Sequence, residues 1–146
     1  MIVVESTIEH LKKAELVRFA RRAQKLAGVS GEVAVLIADN HRLRELNHRY
    51  RGKNQTTDVL SFSREGGGDI AISAEIAVEN ARLYGHDSLD ELKILILHGM
   101  LHLAGHDHEH DHGEMAAQET WLRKKLKLPD SLIDRAHSPG PHRKKP

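Results

Sequence analysis

Residues 88–108 read SLDELKILILHGMLHLAGHDH and carry the signals of one long, apolar helix. Ser88 and Glu91 match a capping box, in which an N-cap serine and a glutamate three positions later bond reciprocally to the backbone. The apolar run at residues 94–97 indicates that the helix is largely buried. Gly105 suits the left-handed position just past a helix end. The pattern predicts a buried helix from residue 88 to about residue 104.

Strand and helix signals alternate around this helix. β-Branched or alternating apolar residues predict strands near residues 2–4, 33–37, 59–62 and 69–72. Apolar residues at helical spacing and capping residues predict helices near residues 8–26, 40–50, 73–83 and 113–126. The glycines at 66–68 predict a tight turn, so the sheet is not purely parallel. The predicted fold class is α+β (mixed α/β), a single domain with a small mixed sheet and about five helices.

Composition narrows the class of protein. A chain of 146 residues predicts one domain, and 39% hydrophobic with 29% charged residues excludes a disordered acidic chain and a membrane bundle. The longest apolar run is far short of the roughly 18–20 residues that span a bilayer. The first residues lack the features of a signal peptide, so we expect a cytoplasmic protein. Because the chain has no cysteine, nitrogen or oxygen atoms must hold any metal.

The last ten residues, HSPGPHRKKP, have three prolines, three basic residues and no acidic one. Such a segment buries little apolar surface, so we expect a domain over residues 1–136 and a disordered basic tail over 137–146. Without that tail, 19 basic residues stand against 21 acidic ones, a net charge of −2. Nucleic-acid binding would therefore require a local basic patch.

Histidine is abundant, and six of the 12 histidines lie between residues 98 and 112. His98 and His102 are four residues apart on the predicted helix, which places their Cβ atoms about 5–6 Å apart on one face. Two imidazoles at this spacing can share one metal ion. The alternative is a pair of packing or surface histidines, but two unpaired imidazoles on a buried helix would be costly.

A third ligand is expected beyond the helix. Continuing the helix to His106 would place that residue about 12 Å from His98, too far for one ion. A helix that ends at Gly105 can turn back, and His108 then reaches the metal. Asp107 is a candidate hydrogen-bond acceptor for a ligating imidazole. The histidines further along this polar loop are weaker candidates: His110 and His112.

The spacing of His102, Gly105 and His108 matches the zinc motif H-x-x-G-x-x-H of metzincin peptidases. Zincins of that type carry a glutamate, their general base, immediately after the first histidine. Here that position is Gly99. The absence of this carboxylate disfavours a metallopeptidase and leaves a hydrolase of another class or a structural metal.

Three motifs carry a resemblance to a known family. HGMLHLAGHDH at residues 98–108 is similar to the HGxLHLxGxDH signature of the YbeY family of bacterial endoribonucleases and ribosomal-RNA maturation factors. Leu46, Asn47, Tyr50 and Arg51, followed by TDVLSF at 57–62, resemble the family's LNxxYR…TDVLSF block. GDIAI at 68–72 is similar to its GDIxI strand. These motifs cover about residues 30–126 in the expected order.

The resemblance implies the ligands His98, His102 and His108, one Zn²⁺ per chain, and a distantly zincin-like fold. It implies single-strand-specific endoribonuclease activity in maturing the 3′ end of small-subunit ribosomal RNA. Arg51 matches a functional arginine, so the implied catalytic set is Arg51 with the three histidines. The implied partners are ribosomal RNA, the small ribosomal subunit and its assembly factors, with no membrane and no DNA. The alternative function is a non-catalytic, metal-stabilised RNA-binding assembly factor.

Three histidines and an arginine are residue types that suit metal-dependent cleavage of a phosphodiester. Three histidines leave one position of a tetrahedral metal open, as in catalytic sites. Arginine binds phosphate oxygens in bidentate fashion, and Arg51 lies in a stretch, residues 42–53, with five basic residues and one acidic residue, Glu45. The alternative for this stretch is a solvated helix face and loop. Tyr50 and Phe62 are expected in the core, with stacking on an RNA base as the alternative.

Overall fold

A computed structural model describes residues 1–5, 8, 11–105 and 112–128 of the chain. Its strands are β1 (Ile2–Val4), β2 (Glu32–Ala38), β3 (Val59–Arg64) and β4 (Gly67–Ser73). Its helices are α1 (Lys13–Ala27), α2 (Asn40–Arg51), α3 (Ala74–Tyr84), α4 (Ser88–Leu103) and α5 (Glu114–Leu126). The predicted mixed α/β class is confirmed.

The four strands form one sheet in the order β1-β2-β4-β3. β1 pairs with β2 and β2 with β4 in parallel, while β3 and β4 form an antiparallel hairpin. At Gly67, where φ is +156°, an added Cβ would lie 1.8 Å from the backbone oxygen of Glu32. Glycine is therefore required where the hairpin turns against β2, and the predicted tight turn is confirmed.

The two sheet faces carry separate apolar clusters because side chains alternate along each strand. One face packs against α1 and α4, and α5 joins the same core. The strand residues of this cluster include Val33, Val35, Ile37, Ile70 and Ile72. The opposite face packs against α2 through Leu43 and Leu46, with strand residues Leu36, Ala38, Leu60, Phe62 and Ala71. Thus α2 and α4 lie on opposite sides of the sheet.

The start of α4 differs from the prediction by one residue. Asp87 is the N-cap, and its carboxylate accepts a hydrogen bond of 2.8 Å from the backbone N–H of Asp90. Ser88 is the first helical residue. Glu91 is fully buried, with Oε1 2.7 Å from His86 Nε2, and it accepts a hydrogen bond from Asn80. The predicted capping box is therefore wrong, because an acidic side chain one position earlier caps the helix and Glu91 faces inward.

The other helix ends follow the sequence signals with small shifts. Gly28 and Gly85 end α1 and α3 in the left-handed conformation, and Gly105 has φ +99° just past α4. The first helix begins at Lys13, later than predicted. None of the helices in the described ranges is long and apolar enough to cross a membrane. The predicted tail over residues 137–146 lies outside the described residues and stays a prediction.

Candidate active site

His98 and His102 lie side by side in the last turns of α4. Their Nε2 atoms are 3.1 Å apart, their ring centroids are 4.7 Å apart, and the ring planes meet at 73°. Two nitrogens bound to one tetrahedral ion at about 2.0–2.1 Å each are separated by about 3.3 Å. The observed separation therefore fits two imidazoles that share a metal ion through Nε2. His98 is buried and His102 is half-buried, so the centre is partly open to solvent.

Glu119 on α5 supports His98 from the opposite side of the ring. Its Oε2 lies 3.2 Å from His98 Nδ1, and its side chain is buried, with 1% exposure. A buried carboxylate needs a partner, and Nδ1–H provides one. Such a contact sets the tautomer and orientation of a metal-ligating histidine, because the proton stays on Nδ1 and Nε2 keeps its electron pair.

Glu119 was not predicted from the sequence, in which Asp107 was the candidate for this role. A signal was present, since Glu119 interrupts an inward-facing apolar series on α5 formed by Met115, Leu122 and Leu126. An acidic residue at such a position requires a buried partner. Asp107 lies outside the described residues.

The predicted third ligand, His108, also lies outside the described residues, as do His106 and His110. Within the described ranges, no group of three or more histidine, cysteine or acidic side chains is arranged to hold a metal. The structure thus brings together two of the three predicted ligands, and the role of His108 stays a prediction. His112 is exposed, and its backbone N–H donates a hydrogen bond to Glu114.

Gly99, between the two histidines, packs directly on the sheet. An added Cβ would lie 2.9–3.1 Å from three side-chain carbons of the buried Ile70. The Gly99 carbonyl accepts a hydrogen bond of 3.2 Å from the Ser61 hydroxyl on β3. A glutamate at this position, which carries the general base in zincin peptidases, would therefore have to displace the buried Ile70 side chain.

We expect Gly99→Ala to lower the free energy of unfolding by about 1–2 kcal/mol, because overpacking against Ile70 outweighs alanine's better helix propensity. Gly99→Glu should lower the free energy of unfolding further, since it also buries a carboxylate. Denaturant unfolding measures both values. In an Ile70→Val background, Gly99→Ala should cost less. An unchanged stability of Gly99→Ala would show that this contact is loose.

Arg51 is the exposed last residue of α2, on the sheet face opposite to α4. The edge strand β3 lies between the end of α2, which carries Arg51, and the part of α4 that carries His98 and His102. Ser61 bonds to Gly99 on one face, and the next residue, Phe62, contacts Tyr50 on the other, with ring centroids 5.1 Å apart. Tyr50, the neighbour of Arg51, and Gly99, the neighbour of His98, therefore contact adjacent residues of β3 from opposite sides.

The basic stretch is partly neutralised. Arg42 forms an ion pair of 2.8 Å with Glu45 and one of 3.7 Å with Glu5. The hydrogen bond from Arg42 holds the pKa of Glu45 below its usual value. A separate contact joins Arg44 to the Thr56 hydroxyl at 3.4 Å. Positive charge near the end of α2 is carried by the exposed residues Arg49, Arg51 and Lys53.

The mixed sheet and the carboxylate-supported histidine pair define a small α+β protein with a histidine centre on its buried helix. The family model described as Endoribonuclease YbeY matches residues 3–127. An Endoribonuclease YbeY from Koribacter versatilis is 52% identical over 143 residues, which cover 96% of this chain and 94% of that protein. Another from Solibacter usitatus is 47% identical over 130 residues, 88% of each chain.

One solved structure has a similar fold. The solution structure of TM1509 from Thermotoga maritima matches with a TM-score of 0.56 at 27% identity, over 89% of this chain and 97% of that one. The chain belongs to the YbeY family of endoribonucleases. The family predicted from the three motifs, and with it the endoribonuclease class, is confirmed.

Proposed function

We propose that this protein is a cytoplasmic, metal-dependent endoribonuclease that cleaves single-stranded RNA and matures the 3′ end of small-subunit ribosomal RNA. The observation that carries the proposal is the His98–His102 pair, with Nε2 atoms 3.1 Å apart and His98 supported by the buried Glu119. The proposed partners are ribosomal RNA, the small ribosomal subunit and its assembly factors. DNA and membranes are not among them.

The donor set favours Zn²⁺, one ion per chain, held by His98, His102 and His108. Imidazole nitrogens suit zinc, and a set of three histidines is typical of catalytic rather than structural zinc. When bound, the ion would supply a Lewis acid for the phosphodiester group.

The chain's own residues orient and neutralise the substrate. Glu119 holds His98 in one orientation, so this ligand need not reorganise during the reaction. Arg51 offers a planar guanidinium, which binds two phosphate oxygens of the RNA backbone at once. Because residues 1–136 carry a net charge of −2, contact with RNA depends on the local cations at the end of α2.

A second candidate function is a non-catalytic RNA-binding assembly factor whose metal stabilises the fold. The observation that favours it is the buried contact between His98 on α4 and Glu119 on α5. A metal ion bound to His98 would stabilise this contact and with it the packing of the two helices.

Cleavage assays on stringently purified protein separate these functions. We expect the wild type to cleave single-stranded RNA and not casein, and a chelator or His98→Ala to abolish cleavage. Arg51→Glu should remove most of the cleavage without lowering the melting temperature much, because exposed charges rarely contribute more than about 1 kcal/mol to stability. Equal RNA cleavage by the wild type, His98→Ala and chelated samples would identify a contaminant and favour the assembly factor.

A further inference from the structure

The sheet face that packs against α2 has an open groove at the carboxyl end of this helix. Its volume is about 390 Å³, and most of its lining is apolar. The lining includes Leu36, Leu46, Tyr50 and Phe62, with Arg64 and Asp69 at the strands β3 and β4. Arg64 and Asp69 form an ion pair of 3.2 Å with each other. The groove is large enough for one planar aromatic ligand.

Tyr50 makes this groove unusual, because the sequence predicted a core residue and the structure leaves the side chain 59% exposed. Its ring contacts Phe62 at a centroid distance of 5.1 Å and an angle of 47°. Phe62 is half-buried and packs into the α2 face of the sheet. Tyr50 therefore has a supported ring with much of its surface available for stacking.

The charges beside the ring are positive. The guanidinium carbon of Arg49 lies 6.0 Å from the Tyr50 ring centroid, Arg51 is adjacent in the chain, and Lys53 follows. Residues 49–53 include no acidic residue, and the nearest acid on the helix, Glu45, is paired with Arg42. An exposed aromatic ring between cations is the combination with which proteins bind single-stranded nucleic acids, the ring stacking on a base and the cations contacting phosphates.

The position of the groove relates it to the histidine pair. Phe62 contacts Tyr50, and its neighbour Ser61 bonds to Gly99 between His98 and His102. One edge strand therefore separates the groove from the active centre. A single strand of RNA that passes over the edge of β3 would meet both surfaces within a few nucleotides.

We propose that this groove binds one nucleobase of the single-stranded RNA substrate, stacked on Tyr50, a few nucleotides from the cleaved bond. Arg49 and Arg51 contact the phosphates on either side of that base. This inference rests on the proposed RNA-cleaving function and adds to it a subsite that recognises the base rather than the backbone. It accounts for an aromatic side chain that is exposed beside Arg49, in a segment that also carries Arg51 and Lys53.

The test compares two oligonucleotides of equal length, one with all its bases and one abasic in its central positions. Both carry the same phosphates, so their difference in affinity reports base contacts alone. We expect the wild-type protein to bind the base-bearing strand about tenfold or more tightly. Affinities are measured by fluorescence anisotropy on ice, and a gel after each titration verifies that the strand is intact.

Variants locate the base contact. Tyr50→Ala and Tyr50→Leu should both lose the preference for the base-bearing strand, and Tyr50→Leu keeps apolar volume against Phe62 if alanine destabilises the fold. Tyr50→Trp should retain the preference. Trp121→Ala is the matched control, because Trp121 is also about half exposed but lies on α5; its affinities should equal those of the wild type.

The outcomes separate this inference from the function on which it rests. If the wild type neither binds nor cleaves RNA, the proposed function fails. If the wild type cleaves RNA but binds both strands equally, or if Tyr50→Leu keeps the full preference, the base subsite is wrong and the proposed function stands.

Discussion

The His102→Ala variant is expected to lose the bound metal ion entirely on dialysis against a mild chelator, whereas the wild type keeps about one ion per chain. His102 Nε2 lies 3.1 Å from His98 Nε2, so its removal takes one of the two predicted ligands that the structure places together. Metal affinity falls steeply with each lost ligand, because a three-nitrogen set becomes a two-nitrogen set on a partly solvated helix. Elemental analysis of protein purified without added metal measures the content.

The matched control is His112→Ala, which removes a histidine of the same cluster. His112 is exposed and lies near the start of α5, so its loss should leave the metal content unchanged. The chelator step also removes weakly held ions from the surrounding histidines. Equal metal content in His102→Ala and the wild type would overturn the assignment of His98 and His102 as ligands.

The second large effect is expected at Glu119. Glu119→Ala removes the acceptor for His98 Nδ1 and leaves this polar atom and a small cavity in a buried site. Metal affinity should fall about 10–100-fold, as is typical when the partner of a ligating histidine is lost. The metal-free protein should also lose about 1–3 kcal/mol of stability, the cost of an unsatisfied buried group. Competition with a chromogenic chelator gives the affinity, and denaturant unfolding gives the stability.

Glu119→Gln separates the two effects because the amide keeps the volume and its oxygen still accepts from Nδ1–H. Its losses should be smaller than those of Glu119→Ala in both measurements. Glu114→Ala, an exposed acid in the first turn of the same helix, is the control and should change neither the affinity nor the stability strongly. If Glu119→Ala destabilises the protein but binds metal with wild-type affinity, Glu119 is a packing residue only.

Local patterns were enough to predict the order of the elements and the pairing of the first two histidines. A helix places residues four apart on one face regardless of its surroundings, so His98 and His102 meet wherever α4 lies. A glycine-rich tight turn can join only antiparallel neighbouring strands, so the sequence predicted an antiparallel pair at the position of β3 and β4. The position of a helix cap is less certain from sequence, since Asp87 and Ser88 are both good caps and only their backbone geometry selects one.

Contacts between distant parts of the chain required the tertiary structure. His98 and Glu119 are 21 residues apart and on different helices, and no local periodicity couples them. The same holds for Gly99. The sequence shows only that a catalytic glutamate is absent from this position, whereas the structure shows that the glycine packs against Ile70.

The surroundings of Arg51 also combine local features that the sequence predicts with contacts that only the tertiary structure shows. The sequence alone predicts a basic helix end with one tyrosine, and a second helix that carries paired histidines. Only the tertiary structure placed these on opposite faces of one edge strand, through Ser61 and Phe62, and left Tyr50 exposed beside a groove. The physical reason is that hydrophobic periodicity indicates which residues of one helix or strand share a buried face. Which polar groups of different elements meet depends on how those elements pack.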